Sequence, residues 1–192
     1  MPAKRGMKRE LILDTAFGLI LQNGYLNTKI IDIANKAGIG KGTVYEYFES
    51  KESLLLELID TRVKQDYRRV CEAAEKASTY RQKLAEYFRL EVAVTAKYKE
   101  NVTDFRNDFM NNDAEISVRI AEAIHGVMTL QFEYVRSAVK KGVAAGEFRD
   151  VDPNMAAACF MGGISFYLHM LHFGMPCRED SFLDCIFNGL IV

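Results

Sequence analysis

Residues 28–51, which read TKIIDIANKAGIGKGTVYEYFESK, predict two short helices joined by a tight turn. In the first helix, over about 28–36, apolar side chains recur at helical spacing and form one face: these are Ile30, Ile33, Ala34 and Ala37. Thr28 is expected to cap this helix, because its hydroxyl oxygen accepts a hydrogen bond from a free amide of the first turn. Gly38 favours the left-handed conformation that ends a helix. A second helix follows over about 41–48, and the pair forms a helix-turn-helix pattern.

The second of these helices carries different chemistry on its two sides. It is too short to be stable alone, so Val44 and Phe48, four residues apart, are predicted to hold it against the first helix. The opposite side presents one cation, one hydroxyl and two phenols, from Lys41, Thr43, Tyr45 and Tyr47. Such groups reach phosphates and base edges in a major groove. We predict that Thr43 contacts a base and that phosphates are contacted by Tyr45, Tyr47, Lys51 and the Thr28 hydroxyl.

The spacing of these residues alone also fits an ordinary helical hairpin whose polar side is simply solvated. The flanking residues favour the DNA-binding interpretation. The stretch Ile12–Leu58 resembles the DNA-binding domain of the TetR family of transcriptional regulators. The resemblance runs through Ala16, Gly24, Thr28, Ile33-Ala34, Ala37-Gly38-Ile39, Gly42-Thr43-Val44-Tyr45, Tyr47-Phe48, Lys51 and Leu54-Leu55. It places Gly42 among the DNA-binding residues. Departures from the family pattern are Gly40, where serine is common, Tyr47, where histidine is frequent, and Glu46, an acid beside phosphates.

Composition and charge fit a helical protein whose N-terminal region is basic. The chain has 192 residues and is 49% hydrophobic and 27% charged, as is typical of globular proteins. No stretch shows sustained strand alternation, so we predict an all-α fold. Residues 1–51 hold eight Lys/Arg and five Asp/Glu, whereas the whole chain has a net charge of −1. We predict a helix-turn-helix domain over 1–50 and a helical regulatory, ligand-binding and dimerisation domain over 51–192.

Apolar periodicity predicts seven further helices outside the helix-turn-helix. Their approximate bounds are 8–23, 50–76, 80–97, 102–110, 114–144, 153–173 and 181–190. Ser50 and Asp152 are expected to cap helices, and Pro153 suits a first helical position. The helix from Ser50 is long enough to transmit a movement from a ligand site to the helix-turn-helix.

The helices after residue 80 combine many soft apolar side chains with few polar ones. This combination suits a cavity for a lipophilic molecule with one polar end. The predicted effector-contacting residues are Phe88, Glu91, Thr95, Phe105, Phe109, His125, Met128, Phe132 and Tyr167. A solid hydrophobic core uses the same apolar residues, so the sequence leaves both interpretations open.

The TetR resemblance also implies a homodimer that associates through its last two long helices. The sequence is compatible with this, because the helix over 153–173 carries small residues that permit close helix approach: Ala156, Ala157, Ala158, Gly162 and Gly163. The C-terminal segment is strongly apolar, with Phe182, Leu183, Ile186 and Phe187 before Leu190-Ile191-Val192. We predict a four-helix bundle with two helices from each subunit, while packing of these residues inside one chain stays an alternative.

Two other classes of protein fit parts of the sequence less well than a regulator does. An enzyme or metal-binding protein finds little support, because His169, His172 and Cys177 lack further ligands and no GxSxG, HExxH or Gly-rich phosphate loop occurs. We predict no catalytic residues, no cofactor and no metal. A helical interaction module without DNA binding does not account for the polar residues grouped between Lys41 and Lys51. The chain begins without a signal-peptide pattern and has no apparent bilayer-spanning run, so we predict a cytoplasmic protein without membrane association.

These observations converge on a dimeric, sequence-specific DNA-binding regulator. We predict a repressor that a lipophilic small molecule releases from its double-stranded DNA operator. The alternative is a helical protein-interaction module, or a metal- or small-molecule-binding protein, that does not bind DNA. In the regulator, effector binding and DNA binding are coupled and each lowers the affinity for the other by the same factor.

Overall fold

The computed structural model describes the backbone of residues 2–96 and 114–188, and the side chains over 5–94, 118–171 and 173–188. Regular structure in these residues is entirely helical, which confirms the predicted all-α fold. The α-helices are α1 (Pro2–Asn23), α2 (Ile30–Ala37), α3 (Lys41–Tyr47), α4 (Lys51–Leu58), α5 (Lys64–Ala74), α6 (Tyr80–Ala96), α7 (Ala114–Ala144), α8 (Pro153–His172) and α9 (Glu179–Asn188).

Most predicted helices agree with these bounds to within two residues. The first helix differs because it begins at Pro2 rather than at residue 8. The helix predicted from Ser50 to residue 76 is also different, since a π-helical turn, Ile59–Val63, separates α4 from α5. The helix predicted over 102–110 lies outside the described residues.

The chain divides into two compact units. Unit 1 comprises Met1–Lys64 and Tyr98–His125, and unit 2 comprises Gln65–Lys97 and Gly126–Val192. α4 packs against α1 and so groups with the helix-turn-helix in unit 1. The domain boundary that the sequence predicts after residue 50 stays a prediction.

The core of unit 1 is built by α1, on which α2 and α4 pack, while α3 packs on α2. Ile12 and Ala16 of α1 and Ile33 of α2 are completely buried, as their helical spacing predicts. Gly38 takes a φ of 68° at the end of α2, and the amide of Ile39 donates to the Ala34 carbonyl at 3.0 Å. This left-handed turn sets the direction in which α3 leaves α2.

The predicted helix cap at Thr28 is wrong. α2 begins at Ile30 with Lys29 in the N-cap position, and the Lys29 amide donates to the Asp32 carboxylate at 3.1 Å. Thr28 lies one residue too early, and its hydroxyl donates instead to the Gly24 carbonyl at 2.7 Å. By contrast, the predicted cap at Ser50 is confirmed, because its hydroxyl accepts from the Ser53 amide at 3.1 Å.

The core of unit 2 is formed by apolar side chains of α5 to α9. Its largest fully buried members are Tyr87, Phe88, Leu84, Val135, Phe160 and Phe187. Gly142 allows the end of α7 to lie close to Phe148, because a Cβ at this position would stand 2.3 Å from that ring. Rings from α6, α8 and α9 also meet in this core, since the Phe88 centroid lies 5.0 Å from Tyr167 and 4.4 Å from Phe182.

α8 is apolar along its length but only partly covered by its own chain. Asp152 caps it and Pro153 occupies its first turn, as predicted. Its stretch Pro153–Leu171 has a mean hydropathy of 1.2, and 28% of that stretch is buried. By length and composition this helix is sufficient to cross a bilayer, which corrects the expectation that no stretch is. Helices of soluble proteins can have the same composition, and the uncovered face of α8 is described below.

Candidate DNA-binding surface and effector region

The packing of α3 agrees with its predicted division into two sides. Val44 is fully buried and Phe48, just after the helix, is 3% exposed, so both side chains fix α3 in unit 1. Lys41, Gly42 and Tyr45 are exposed, while Thr43 and Tyr47 are half-buried. The structure therefore brings all five of these predicted DNA-binding residues together on a helix of seven residues.

Cations lie beside two tyrosines of α3, the exposed Tyr45 and the half-buried Tyr47. The Lys41 ammonium is 5.8 Å from the Tyr45 ring centroid, and the Arg5 guanidinium is 5.9 Å from that of Tyr47. Both distances fall within the range of cation–π attraction. Arg5 comes from the basic start of α1, so positive charge from two helices collects at the polar side of α3. An anionic backbone such as that of DNA is attracted to such a surface.

Lys51 stands at the start of α4, where the helix dipole disfavours a cation. Its ammonium lies 4.0 Å from the Tyr25 ring centroid and donates to the Leu26 carbonyl at 3.4 Å. The Tyr25 hydroxyl in turn donates to Glu52 at 3.2 Å, and burial together with that carboxylate raises the pKa of Tyr25. Lys51 is thus held in a defined, half-buried position.

Thr28 is the one predicted DNA-binding residue whose placement in the structure argues against that role. It is completely buried, and its hydroxyl is engaged with the Gly24 carbonyl. A phosphate cannot reach this oxygen in the described conformation. The structure instead gives Thr28 the role of fixing the turn that leads from α1 into α2.

Arg9 is a residue that sequence reasoning missed. Its Nε donates to Glu57 Oε1 at 2.6 Å, its Nη2 pairs with the other oxygen of the same carboxylate, and its Nη1 donates to the Tyr47 carbonyl at 3.2 Å. The guanidinium also lies 4.7 Å from the Phe48 ring centroid. Arg9 thereby joins α1, α4 and the C-terminal end of α3, where a cation is favoured by the helix dipole. These partners are 38 to 48 residues away in sequence, and no local pattern points to them.

Apart from Glu91, the residues predicted to contact an effector fall into three groups. Phe88 and Tyr167 are buried in contact with each other, and Phe132 packs against the same core. His125 is exposed and Met128 is 57% exposed, and their contacts with an effector stay predictions. Phe105, Phe109 and the side chain of Thr95 lie outside the described residues.

Glu91 is the predicted effector contact with the most unusual surroundings. Burial raises the pKa of its carboxyl, although Gln131 Nε2 donates to Oε1 at 3.0 Å. The rings of Tyr87 and Tyr134 stack nearby with centroids 5.1 Å apart, which places three polar side chains of α6 and α7 next to Gln131. A shallow groove of ≈ 200 Å³ also exists in unit 2, between Arg81 and Arg89 of α6 and Asp180, Asp184 and Phe187 of α9. None of the predicted effector contacts lines that groove.

Comparison with known proteins agrees with the helix-turn-helix geometry. Residues 12–58 match the model of the family described as bacterial regulatory proteins, tetR family. The fatty acid metabolism regulator protein of Bacillus subtilis is 23% identical over 185 residues, which cover 93% of each chain. The transcriptional regulator BetI of Agrobacterium fabrum is 35% identical over 79 residues, 41% of this chain and 38% of its own.

Solved structures of regulators share the fold over nearly the full chain. FadR from Bacillus subtilis, in complex with stearoyl-CoA, has a TM-score of 0.73 at 23% identity and covers 94% of this chain and 98% of its own. A putative transcriptional regulator from Saccharomonospora viridis, in complex with choline, has a TM-score of 0.77 at 21% identity, with 97% and 99% covered. The match over residues 12–58, the two-sided α3 and the shared fold lead to one conclusion: residues 12–58 form a helix-turn-helix DNA-binding domain of the kind found in bacterial regulatory proteins of the tetR family.

Proposed function

We propose that the protein is a homodimeric repressor that leaves its operator when a lipophilic effector binds within unit 2. The observation that carries this proposal is α3, whose buried side fixes it in unit 1 while Lys41, Gly42 and Tyr45 stay exposed. The protein acts in the cytoplasm, where its DNA is accessible. Related proteins are regulators rather than enzymes, and we propose no catalytic activity for this chain.

The DNA contacts follow from the chemistry on the open side of α3. Thr43 offers a hydroxyl and a methyl group to a base edge, and Lys41, Tyr45 and Tyr47 offer donors to phosphates. Gly42 has open space at its Cβ position, so the backbone there can approach the DNA closely. Lys51 completes the phosphate contacts from the start of α4. Two such units on one dimer read half-sites in successive major grooves, about 34 Å apart.

The dimer is supported by a continuous exposed stripe along α8. We define the α8 face as the residues at helical spacing that remain exposed: Met155, Cys159, Gly162, Phe166, His169 and Phe173. Met155, Phe166 and Phe173 are 61%, 63% and 62% exposed, and the His169 ring lies between the two phenylalanines, 6.1 Å and 4.6 Å from them. An aromatic stripe of this size is unfavourable in water. A second copy of the chain covers it in the proposed four-helix bundle.

Several apolar residues first assigned to this interface instead pack inside unit 2. Leu183 and Phe187 of α9 are 6% and 2% exposed. Phe182 and Ile186 lie against Gly163, where a Cβ would be 3.0 Å and 3.4 Å from them. The residues after 188 lie outside the described ranges. The interface proposal therefore rests on the α8 face rather than on the apolar C-terminal segment.

The effector is proposed to be mostly apolar, because Phe88, Phe132 and Tyr167 supply soft aromatic surface in the unit 2 core. Related regulators have been solved with stearoyl-CoA and with choline, so this fold accommodates both an acyl chain and a small cation. Phe105, Phe109 and Thr95 stay predicted contacts. Displacement of Phe132 or Tyr167 by the effector changes the packing of α7 and α8. In a dimer, this change of packing can alter the positions of the two helix-turn-helix domains.

The test is selection of binding sites from a random double-stranded DNA pool with the full-length protein. A palindromic consensus is expected, and its affinity is then measured by fluorescence anisotropy. Thr43→Ala should relax the preference at one base pair of each half-site, whereas Lys140→Ala, an exposed cation on α7, serves as the control and should change nothing. Failure to enrich any sequence would refute the regulator proposal and favour an interaction module.

A further inference from the structure

Unit 2 contains a group of oxygen-bearing side chains within its otherwise apolar core. We define the acceptor cluster as Tyr87 and Glu91 of α6 with Gln131 and Tyr134 of α7. Tyr87 is fully buried, and Glu91 and Tyr134 are partly buried. Tyr67 of α5 lies beside the cluster, where its hydroxyl donates to the Leu130 carbonyl at 2.7 Å. A polar group within a protein core has to be compensated by hydrogen bonds.

The carboxylate of Glu91 is only partly compensated. Gln131 Nε2 donates to Oε1 at 3.0 Å and the Tyr87 hydroxyl lies close by, but burial outweighs both groups and raises the pKa of the carboxyl, so its charged form is disfavoured. Gln131 is neutral, and a neutral amide offsets the desolvation of a carboxylate less than a cation does. No arginine or lysine pairs with Glu91 among the described residues.

Two phenol groups add to the uncompensated polarity. The hydroxyls of Tyr87 and Tyr134 are buried and lie beside the carboxylates of Glu91 and Glu75, but neither reaches hydrogen-bond geometry with a group in the described part of the chain. A buried polar group without a partner is destabilising and requires an explanation such as a missing partner. The two rings are stacked with centroids 5.1 Å apart, so Tyr87 of α6 and Tyr134 of α7 belong to one group of side chains. The cluster therefore holds buried oxygen atoms whose capacity for hydrogen bonds is not fully used by the described protein groups.

The electrostatic surroundings select the sign of the missing partner. Glu75 lies close enough to contribute to the raised pKa of Tyr134, and the nearby Lys83 is engaged by Glu75 at 2.6 Å. Glu91 likewise contributes, after burial, to the raised pKa of Tyr87. A carboxylate or phosphate placed here adds a like charge, whereas an ammonium group supplies both positive charge and N–H donors.

We propose that the acceptor cluster binds the polar end of the effector and that this end is an ammonium group, so the effector is a lipophilic amine. This deepens the proposed function, on which it rests, by naming the chemical class of the ligand. The ammonium donates to the Glu91 carboxylate and to the Tyr87 and Tyr134 hydroxyls, and its apolar part packs on the aromatic residues of unit 2. An acyl carboxylate of the same chain length is excluded by charge.

The experiment compares three twelve-carbon probes below their micelle concentrations: dodecylamine, dodecanoate and dodecanol. Binding to the full-length protein is measured by calorimetry without DNA, and operator release is measured separately by anisotropy. Dodecylamine should bind at least tenfold more tightly than the other probes, and Glu91→Gln should remove about tenfold or more of that affinity, as expected for loss of a buried charge partner. Glu133→Gln, which removes an exposed carboxylate paired with Arg136 on α7, is the matched control and should bind as wild type.

A second variant separates ligand contact from a structural role. Tyr87→Phe keeps the ring stacked on Tyr134 but removes one hydroxyl, and it should weaken dodecylamine by about threefold while leaving dodecanol unchanged. Circular dichroism melts confirm that the variants fold.

Equal affinity of wild type and Glu91→Gln for dodecylamine, tighter binding of dodecanoate, or no binding of the amine would each overturn the proposal. If dodecanoate alone released the operator, the repressor function would stand while the amine assignment fell. If no operator were found, calorimetry would still decide the amine assignment.

Discussion

Two exposed helical faces of this protein, the open side of α3 and the α8 face, contrast in chemistry. The α3 side presents Lys41 and Tyr45, with a further cation from Arg5 nearby. The α8 face presents methionine and phenylalanine and has no charged residue along Pro153–Leu171. Both faces are exposed in the described part of the chain, yet water solvates the charged groups of the first and not the apolar groups of the second. The difference indicates two kinds of partner, a polyanion for α3 and an apolar protein surface for α8.

The largest expected effect comes from a charge placed on the α8 face. Phe166→Glu puts a carboxylate at the centre of the proposed dimer interface, where burial without a cation is costly. The dimer dissociation constant should rise by about thirtyfold or more, as for an interface hot spot, and sedimentation velocity measures this change. Leu11→Glu is the control, because Leu11 is an exposed apolar residue of unit 1. A dimer of unchanged affinity in Phe166→Glu would show that α8 meets a different partner.

On the α3 side, the expected effect of removing one cation is smaller. Lys51→Ala should lower operator affinity by about tenfold and reduce the slope of log affinity against log salt by about one unit, since one phosphate contact is lost. Anisotropy titrations at several salt concentrations measure both values, with Lys140→Ala as the control. An unchanged slope in Lys51→Ala would mean that this cation serves only the Tyr25 ring and the Leu26 carbonyl that it contacts.

Arg9 distinguishes support of α3 from contact with DNA. Arg9→Ala removes the links to Glu57 and to the Tyr47 carbonyl, so it should lower operator affinity by roughly fivefold through misplacement of α3. The salt slope should stay unchanged, and the combination with Glu57→Gln should be no worse than Arg9→Ala alone. Additive losses together with a reduced slope would identify Arg9 as a phosphate contact. Arg9→Lys should restore little of the operator affinity, because a lysine cannot form the bidentate pair with the Glu57 carboxylate.

The smallest expected effect concerns Glu91, a polar residue inside unit 2, and the dependence of protein stability on pH. It contrasts with the α8 face, which is apolar and exposed. Burial raises the pKa of Glu91, so the folded state disfavours the carboxylate that forms above the ordinary glutamate pKa of about 4.3. The stability of the wild type relative to Glu91→Gln should therefore be highest at low pH and fall as pH rises through the folded-state pKa. Urea unfolding at pH 4 and pH 8 measures the two differences. If they were equal, Glu91 would not be desolvated.

The helices were predictable because local pattern determines them, whereas long-range pairing was not. Apolar spacing and end signals located α2, α3, α7 and α8 within one or two residues. The prediction that Thr28 caps α2 is wrong because a threonine before a helix can also stabilise the preceding turn. Only the structure shows that its hydroxyl donates to the Gly24 carbonyl. Residue type alone could not tell that Phe187 packs inside unit 2 while Phe166 remains exposed, because both are phenylalanines on amphipathic helices.

For the sites, the sequence showed which residues carry chemistry but not their neighbours. The polar side of α3 was visible because it lies within one short helix. Arg9 was not, because its partners Glu57 and Tyr47 come from other helices. Glu91 was predicted as an effector contact from its place among apolar residues, but its association with Tyr87, Gln131 and Tyr134 depends on how α6 and α7 pack.

The most direct test of the contrast between the two faces is hydroxyl-radical footprinting on the selected operator with wild type, Lys41→Ala and Phe166→Glu. The wild type should protect two half-sites on one side of the DNA, separated by about one helical turn. Lys41→Ala should lose protection of both half-sites together, while Phe166→Glu should leave weak, independent protection of single half-sites at high protein concentration. Cooperative protection by Phe166→Glu that matches the wild type, or full protection by Lys41→Ala, would contradict the assignment of α8 to the dimer and α3 to the DNA.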